Sequence, residues 1–313
     1  MDALNGPSLG ELLGDRTTRS GFVALAGRPN VGKSTLVNAI VAHKVAIVSE
    51  KPQTTRRAIR GVATNLAADP PWQLVITDLP GVQRPRDVLT ERMQSRVETE
   101  MGESDGILFV VNGDQGVGGA GDRFIAEALR DYKRPVTIAV NKVDRLNNQR
   151  TVLALQAAAD LGLDAEIFPV SARSGSGMRP LIDHLVGLLP EGPFHFAPGE
   201  HSDQSRGVLL GELVREQVLR RTRQEVPHAV EVQVTDIEDR GRVVAVTAAV
   251  LVEENSQKAI LIGAGGSMIK RIGIAARKEI ERELGEQVHL DLSVRVRKSW
   301  RADDGMLDRL GLN

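Results

Sequence analysis

The sequence predicts an α/β protein made of two domains, the first built on a doubly wound, mostly parallel β-sheet and the second a smaller α+β domain. Its 313 residues exceed the roughly 100 to 200 residues of a usual single domain. From residue 21 to residue 190, short apolar runs alternate with longer amphipathic segments, which is typical of a parallel sheet covered by helices. After a stretch rich in proline and glycine the order of elements changes, so we place a second domain there.

Four segments follow from this pattern. Residues 1–20 are polar and aperiodic and are expected to form a flexible tail, and residues 21–190 are expected to form the first domain. Five of the ten residues from 190 to 199 are proline or glycine, so residues 191–205 are interpreted as a linker. Residues 206–313 then form the second domain.

The predicted elements differ in order between the two domains. In the first, five strands are predicted at 22–26, 74–77, 107–111, 136–140 and 167–170, and four helices at 36–42, 123–132, 151–161 and 179–188. In the second, the order is α-β-β-α-α-β, with a helix at 208–221, strands at 229–237 and 243–252, helices at 256–262 and 267–284, and a strand at 288–296.

Composition excludes several classes of protein. The hydrophobic share of 41% and the charged share of 26% are ordinary for soluble domains and argue against collagen-like, coiled-coil and disordered chains. The net charge of −1 means that any basic surface must be local. The absence of cysteine excludes disulfides and thiolate zinc sites, and no apolar run approaches the roughly 18 residues of a membrane span. We therefore expect a cytoplasmic protein.

A phosphate-binding loop follows the first predicted strand. The residues Gly27, Arg28, Pro29, Asn30, Val31, Gly32, Lys33 and Ser34, followed by Thr35, give the pattern G-x-x-x-x-G-K-S at a strand-to-helix junction. In such a loop, backbone N–H groups surround the β-phosphate, the lysine reaches the β- and γ-phosphate oxygens, and the hydroxyl of Ser34 ligates Mg²⁺. This segment therefore predicts a nucleoside triphosphate site.

Two further motifs select guanine. Asn141, Lys142, Val143 and Asp144 form N-K-x-D at the end of a predicted strand. The Asp144 carboxylate can accept from the ring N–H and the exocyclic amine of guanine, a donor pair that adenine lacks. After the next strand come Ser171, Ala172 and Arg173, where a backbone N–H can reach the guanine carbonyl. Together these motifs predict GTP and GDP as ligands.

Two loops are predicted to sense the γ-phosphate. Asp78 and Gly81 belong to a D-x-x-G motif, in which Asp78 would hold Mg²⁺ through water and the Gly81 N–H would bond the γ-phosphate. In the loop 51–57, either Thr54 or Thr55 would complete the Mg²⁺ shell, and the sequence does not decide between them. Many GTPases carry a water-positioning glutamine directly after D-x-x-G, but this chain has a valine there, so we expect slow intrinsic hydrolysis. The predicted catalytic residues are Lys33, Thr54, Thr55 and Gly81.

A second glycine-rich loop lies in the second domain. Gly263, Ala264, Gly265 and Gly266 form G-x-x-G between two predicted helices, whereas a dinucleotide-binding loop would need a preceding strand. The loop and the element order resemble a type II KH domain, which clamps about four unpaired nucleotides.

The predicted RNA-binding residues surround that loop. No acidic residue occurs from 263 to 278, and basic residues cluster at 215–223, 270–278 and 295–301. Trp300 is the single aromatic residue of this domain, so bases would rest on an aliphatic groove. The predicted set is Gly263, Ala264, Gly265, Gly266, Lys270, Arg271, Arg295 and Arg297.

These motifs together resemble the Era family of bacterial ribosome-assembly GTPases, which belong to the TrmE-Era-EngA-like GTPases and carry a C-terminal type II KH domain. The resemblance extends from about residue 21 to the C-terminus. It implies a Mg²⁺-dependent GTPase, acting as a monomer, that binds single-stranded RNA near the 3′ end of 16S rRNA and assists maturation of the small ribosomal subunit. It also implies a K⁺ ion at Asn30, and it leaves open a peripheral contact with the inner face of the cell membrane.

Two alternatives remain at this point. A tRNA-modification GTPase has a similar nucleotide domain but other appended domains, so the KH-like order argues against it. A structural RNA-binding protein with little hydrolysis is the second alternative. The presence of Lys33, Ser34, Asp78 and Asp144 argues against a decayed nucleotide site.

Overall fold

The computed structural model describes residues 16–51, 54–81, 87–223 and 225–312. These residues divide into two compact units, each assembled from separate stretches of the chain. The first unit takes in the described residues up to 46, then 58–81 and 95–203. The second takes in those of 47–57 and 87–94, then 204–312. Most of the predicted tail lies outside the described residues.

The first unit is a six-stranded sheet with the strand order β2-β3-β1-β4-β5-β6. Its strands are β1 (Arg19–Ala26), β2 (Ile59–Asn65), β3 (Trp72–Asp78), β4 (Gly106–Asn112), β5 (Val136–Asn141) and β6 (Ala165–Pro169). Every neighbouring pair is parallel except β2 with β3, which is antiparallel. The sheet is therefore mostly parallel, as predicted, and β2 is a sixth strand that was not predicted.

Helices cover both faces of this sheet. They are α1 (Lys33–Val41), α2 (Val88–Glu103), α3 (Ala120–Leu129), α4 (Asn148–Ala159) and α5 (Met178–Leu188), and α2 has its first turns in the second unit. One core contains apolar residues of α1 and α5, and the other contains those of α3 and α4. All seven residues of β4 are buried because both faces of the central strands are covered.

The parallel arrangement gathers the ends of the motif-bearing strands. The parallel strands β1, β3 and β5 end at Ala26, Asp78 and Asn141. In an open parallel sheet, the carboxyl ends of the strands form one edge, where ligands of this fold class bind. The sheet therefore brings three of the predicted motifs to the same edge.

The second unit is a three-stranded sheet with the order β7-β8-β9. Its strands are β7 (Glu231–Asp239), β8 (Val243–Val252) and β9 (Gln287–Val296), and its helices are α6 (Arg206–Arg221), α7 (Val226–Ala229), α8 (Asn255–Ile262), α9 (Ser267–Leu284) and α10 (Asp304–Arg309). The pair β7–β8 is antiparallel and the pair β8–β9 is parallel. The predicted order is present, with α7 and α10 added. The prediction that a strand begins at 229 is wrong, because Pro227 lies in the first turn of α7 and the strand begins at Glu231.

The two faces of this sheet pack against different elements. Alternate residues of β8, such as Val250, belong to the core formed with α6 and α9. The residues between them, such as Leu251, pack with Trp300 and the C-terminal helix. Trp300 is 1% exposed, and its indole N–H donates to the carbonyl of Ala229 at 2.9 Å. It therefore has no free face on which a base could stack.

Within the described ranges, no single helix is long and apolar enough to cross a membrane, although the bent pair Asn255–Ile262 and Ala264–Leu284 reaches that length and apolarity together.

Candidate nucleotide site and glycine-loop groove

The loop between β1 and α1 has a backbone that requires glycine at both ends. Gly27 has φ 149° and Gly32 has φ 103°. A Cβ on Gly27 would lie 2.5 Å from the carbonyl oxygen of Val110, and a Cβ on Gly32 would clash with the side-chain amide of Asn141. The loop therefore keeps its main chain close to the neighbouring strands, and α1 begins directly after it at Lys33.

Lys33 is enclosed by this loop. It is 6% exposed, and its ammonium group donates to the carbonyls of Gly27 at 3.0 Å and Arg28 at 3.2 Å. Burial lowers the pKa of Lys33 to about 8, although the nearby carboxylate of Asp78 acts to raise it. The group is thus held in a place where an added negative charge would be strongly favoured.

Ser34 and Asp78 bring two oxygen ligands together. The Ser34 hydroxyl donates to Asp78 Oδ2 at 2.6 Å, so the first turn of α1 meets the end of β3. A hydroxyl and a carboxylate are hard oxygen donors of the kind that Mg²⁺ prefers, so these residues fit the predicted metal. Thr35 follows in the same turn and is half-buried, and a Cβ on Gly81 would lie 2.8 Å from the ring of Pro29.

Asn141 joins three of the predicted motifs. Its amide donates to the carbonyl of Val31 at 3.0 Å, and its Oδ1 accepts from the backbone N–H of Ala172 at 3.1 Å. Lys142 extends across the phosphate loop and donates to the carbonyl of Asn30 at 2.8 Å. Asn141 thus connects the phosphate loop with the N-K-x-D and S-A-R motifs.

The predicted base-reading carboxylate is oriented by a serine. Asp144 is exposed, and its Oδ1 accepts from the hydroxyl of buried Ser171 at 2.6 Å. Ser171 Oγ in turn accepts from the N–H of Ser174 at 3.1 Å. Arg173 is exposed beside this turn. These contacts place N-K-x-D and S-A-R in one local cluster.

Arg28 has a partner that the sequence did not indicate. Its guanidinium pairs with the fully buried carboxylate of Asp122 at 2.6 Å. Asp122 lies in the first turn of α3, where its other oxygen accepts from the N–H of Gly118 at 3.2 Å. The pair ties the phosphate loop to α3. No motif spacing links these positions, so only the fold could reveal the contact.

The two candidate threonines belong to the second unit. Thr54 and Thr55 are each 9% exposed, and the Thr54 hydroxyl donates to the carbonyl of Lys51 at 2.7 Å. Arg215 donates to the carbonyl of Thr54. The choice between the two threonines as a Mg²⁺ ligand stays a prediction. Residues 52–53 and 82–86 of the two predicted sensing loops lie outside the described residues.

A buried charge network anchors the arginines that follow these threonines. Arg56 pairs with Glu231 at 2.9 Å, and Arg57 pairs with Glu212 at 2.8 Å. Arg215, which is fully buried, pairs with Glu212 at 2.7 Å. Burial alone would raise the pKa of Glu231, but the charges of the surrounding arginines outweigh it and lower the pKa to about 2. The expectation that 215–223 forms a basic surface is therefore wrong at Arg215.

The G-x-x-G loop joins α8 to α9 and is open to solvent. Gly263, Gly265 and Gly266 have φ values of 71°, 56° and 78°, and the side chain of Ala264 is exposed. A Cβ on Gly263 would lie 2.8 Å from Met268, whereas a Cβ on Gly265 or Gly266 would meet nothing within 4 Å. The last two glycines thus leave room for another molecule, and the first turn of α9 carries no acidic residue.

A groove of about 350 Å³ lies between α9 and β9, and its lining begins at Ile269, three residues after the loop. Its walls are mainly aliphatic and include Ile269, Gly273, Ile274, Leu290 and Leu292. Three charged residues, Lys270, Arg277 and Asp291, also line it. Ile274 is 45% exposed, which is unusual for a large apolar side chain. Arg271 is exposed on the same helix outside the groove lining.

Arg295 and Arg297 do not join this groove. Both are exposed and line a different cavity, together with Lys298 and Arg309. The prediction grouped them with the glycine loop because they are basic, but Arg295 lies near the end of β9 and Arg297 directly after it, beyond the residues of that strand that line the groove.

Comparison with known proteins agrees with this geometry. Residues 22–142 match a family model described as a 50S ribosome-binding GTPase, and residues 225–301 match one described as a KH domain. The fold and the two sites define a P-loop GTPase followed by a KH domain.

Similarity to whole proteins extends over most of the chain. GTPase Era of Mycolicibacterium smegmatis is 42% identical over 94% of this chain and 98% of its own length. GTPase Era of Lactobacillus helveticus is 41% identical over 95% of this chain and 97% of its own length. The chain belongs to the Era family of GTPases, which confirms the resemblance inferred from its motifs.

Two solved structures share the fold. An Era variant from Aquifex aeolicus bound to GDP and AlF₄⁻ has a TM-score of 0.88 at 30% identity, covering 94% of this chain and 99% of that one. An Era protein in complex with MgGDPNP and nucleotides 1506–1542 of 16S ribosomal RNA also has a TM-score of 0.88, at 31% identity and the same coverage.

Proposed function

We propose that this protein is a GTP-hydrolysing switch that binds single-stranded RNA near the 3′ end of 16S rRNA and assists assembly and maturation of the small ribosomal subunit. The observation that carries the proposal is the presence, on one chain, of a guanine-nucleotide site and an open glycine loop that leads into an aliphatic groove. We assign nucleotide chemistry to residues 21–190 and RNA binding to residues 206–313; most of the predicted linker at 191–205 lies in the first compact unit, which extends to residue 203.

The nucleotide site works by positioning and charge. Hydrolysis of GTP requires little covalent chemistry from the protein, because most of the barrier is lowered by holding the phosphates and neutralising charge on the γ-phosphoryl oxygens. Backbone N–H groups of residues 27–32, except Pro29, which has none, and the ammonium of Lys33 supply that charge. The second oxygen of Asp144 accepts from guanine while Ser171 fixes the first.

Mg²⁺ is the cofactor that Ser34 and Asp78 would hold, with Thr54 or Thr55 added in the triphosphate state. When bound, the metal neutralises and orients the β- and γ-phosphate oxygens. Gly81 would donate its N–H to the γ-phosphate. Asn30 would hold a K⁺ ion that supplies positive charge in place of an arginine from a partner.

RNA binding uses the backbone rather than aromatic stacking. The sugar-phosphate chain would approach Gly265 and Gly266, where no side chain stands in the way. Bases would then rest on Ile269, Ile274 and Leu292, with Lys270 beside the phosphates. A solved Era complex contains nucleotides 1506–1542 of 16S ribosomal RNA, which supports the choice of RNA. We place the protein in the cytoplasm as a monomer, with a peripheral contact at the inner membrane face as a further option.

A pair of glycines tests the RNA site with a matched control. Gly266 and Gly285 bracket α9 and have nearly the same backbone, with φ/ψ of 78°/12° and 70°/10°. A Cβ on either would meet nothing within 4 Å. Gly266→Asp and Gly285→Asp therefore impose the same backbone strain and the same charge at opposite ends of an 18-residue helix.

We expect Gly266→Asp to reduce the affinity for single-stranded RNA of the 16S 3′ end at least tenfold, while Gly285→Asp leaves it unchanged. Lys270→Ala should lower it mildly and reduce the salt slope by about 0.7, the value for one phosphate contact. Binding is measured by fluorescence anisotropy, with duplex RNA as a weak-binding reference and GDP affinity as the folding control. Equal effects of the two glycine variants would contradict the proposed RNA site.

A further inference from the structure

A second cavity, of about 400 Å³, lies in the RNA-binding unit. Its polar lining is dominated by cations: Arg295, Arg297, Lys298 and Arg309 stand beside Gln233 and the buried Trp300. Asp303 is the one acidic residue among the described residues that line it, and its Oδ1 accepts from the N–H of Met306 at 3.0 Å. The cavity therefore carries an excess of about three positive charges.

This cavity and the groove border β9 largely from opposite faces, although Val296 also lines the cavity and Asp291 also lines the groove. In the pairing of β8 with β9, Arg295 is opposite Leu251, whose side chain packs in the core with Trp300. Leu292, which lines the groove, is opposite Ala248, whose side chain belongs to the core formed with α6 and α9. Since β9 is the edge strand of its sheet, the two sites are separated by the width of this strand and by the three-residue step along it from Leu292 to Arg295, about 10 Å.

Among the described residues, no carboxylate pairs with the four cations of the cavity. Within the described ranges, the side chains of Arg295, Arg297 and Lys298 form no ion pair, whereas nearby Arg301 pairs with Glu253 at 2.7 Å. Arg309 donates to the backbone carbonyl of Gly305 at 3.0 Å and keeps its charge unneutralised. Unpaired cations gathered around a cavity are suited to binding phosphate groups.

We propose that this cavity binds backbone phosphates of the same RNA after it leaves the groove, so that the strand passes over the free edge of β9. The proposal rests on the RNA binding proposed above. A KH groove holds about four nucleotides, so an RNA of about 5 nucleotides fills the groove alone, whereas one of about 12 nucleotides also reaches the cavity.

The test compares these two RNA lengths in the full-length protein. The variant Arg295→Ala/Arg297→Ala removes two charges from the cavity. The control Arg223→Ala/Arg242→Ala removes two charges from exposed positions of the same unit that line neither site. Affinities are measured by fluorescence anisotropy between about 0.05 and 0.3 M salt, and vesicles containing anionic phospholipid serve as an alternative source of phosphate.

The cavity variant should bind the 12-nucleotide RNA on the order of tenfold more weakly at about 0.1 M salt, with a salt slope reduced by about 1.4, while its affinity for the 5-nucleotide RNA stays unchanged. The control variant should bind both RNAs like the parent protein. Unchanged binding of both RNAs by the cavity variant, or an equal loss for both, would overturn the proposal. Loss of vesicle binding with intact binding of the longer RNA would assign the cavity to lipid headgroups and overturn it as well. If the parent protein bound neither RNA, the proposed function itself would fail.

Discussion

Raising the pH from 7 to 8.8 should weaken GDP binding about sevenfold, because Lys33 must be charged to hold the phosphates. Burial lowers the pKa of Lys33 to about 8. Such a group is about 90% protonated at pH 7 and about 14% protonated at pH 8.8. Phosphates bound against the ammonium group hold its proton, so the deprotonated protein must take up a proton to bind. The affinity therefore falls as the pH rises through the pKa of the free protein.

Titration calorimetry of GDP in buffers of different ionisation enthalpy measures both the GDP affinity and the number of protons taken up on binding. At pH 8 the parent protein should take up about half a proton for each GDP bound. Lys33→Arg is the control, since a guanidinium stays charged throughout this pH range. The GDP affinity of this variant should therefore lack the pH dependence that Lys33 causes. Circular dichroism establishes that the variant is folded. Equal GDP affinity at pH 7 and pH 8.8 with no proton uptake would show that the argument from burial is wrong.

Three further changes have defined outcomes. Asp144→Asn should keep the hydrogen bond from Ser171 but weaken GTP binding by about 1.5 to 3 kcal/mol. The variant should favour xanthosine triphosphate in a competition assay. An unchanged preference for GTP would contradict the base-reading role. Hydrolysis should be faster in K⁺ than in Na⁺, and Asn30→Ala should abolish that difference while GDP affinity persists; equal parent rates in both salts would exclude the K⁺ site. Because the surrounding arginines lower the pKa of Glu231 below its ordinary value of 4.5, its charge stabilises the fold above pH 4.5, and this stabilisation is lost as the pH falls through the lowered pKa. Glu231→Gln should lower the free energy of unfolding at pH 7, measured in urea, and flatten its dependence on acid; an unchanged acid profile would contradict the network.

The phosphate loop was predictable because its chemistry and its backbone are specified by neighbouring residues. Gly27 and Gly32 must be glycines for steric reasons, and Lys33 and Ser34 follow at a fixed spacing. The strand and helix on either side could be inferred from their hydrophobic pattern alone. The same holds for the G-x-x-G loop, where Gly263 is required by the close approach of Met268.

Contacts between distant segments could not be predicted in this way. Asp122 lies 94 residues after Arg28 in the sequence. A single buried carboxylate produces no recognisable sequence pattern. Arg215 lies in a run of basic residues that reads as a solvated face, yet it is fully buried because Glu212 and Glu231 surround it. Charge runs predict a surface only when no acidic residue from another element is positioned to neutralise them.

The segment 47–57 carries the strongest consequence of such long-range pairing. In the sequence it lies between a helix and a strand of the nucleotide domain, and its threonines are candidate ligands of the metal. In the structure Ile47 packs in the core of the second unit, and the buried pair of Arg56 with Glu231 fixes the other end of the segment. Breaking one partner of a buried pair costs about 3 to 5 kcal/mol. Any movement of Thr54 or Thr55 toward a triphosphate-bound metal must therefore preserve this network or offset its loss with new bonds to the metal and phosphate. The second unit thus holds the same short segment that carries the predicted metal ligands, so the prediction that Thr54 or Thr55 binds Mg²⁺ implies a cost in this network that GTP must offset.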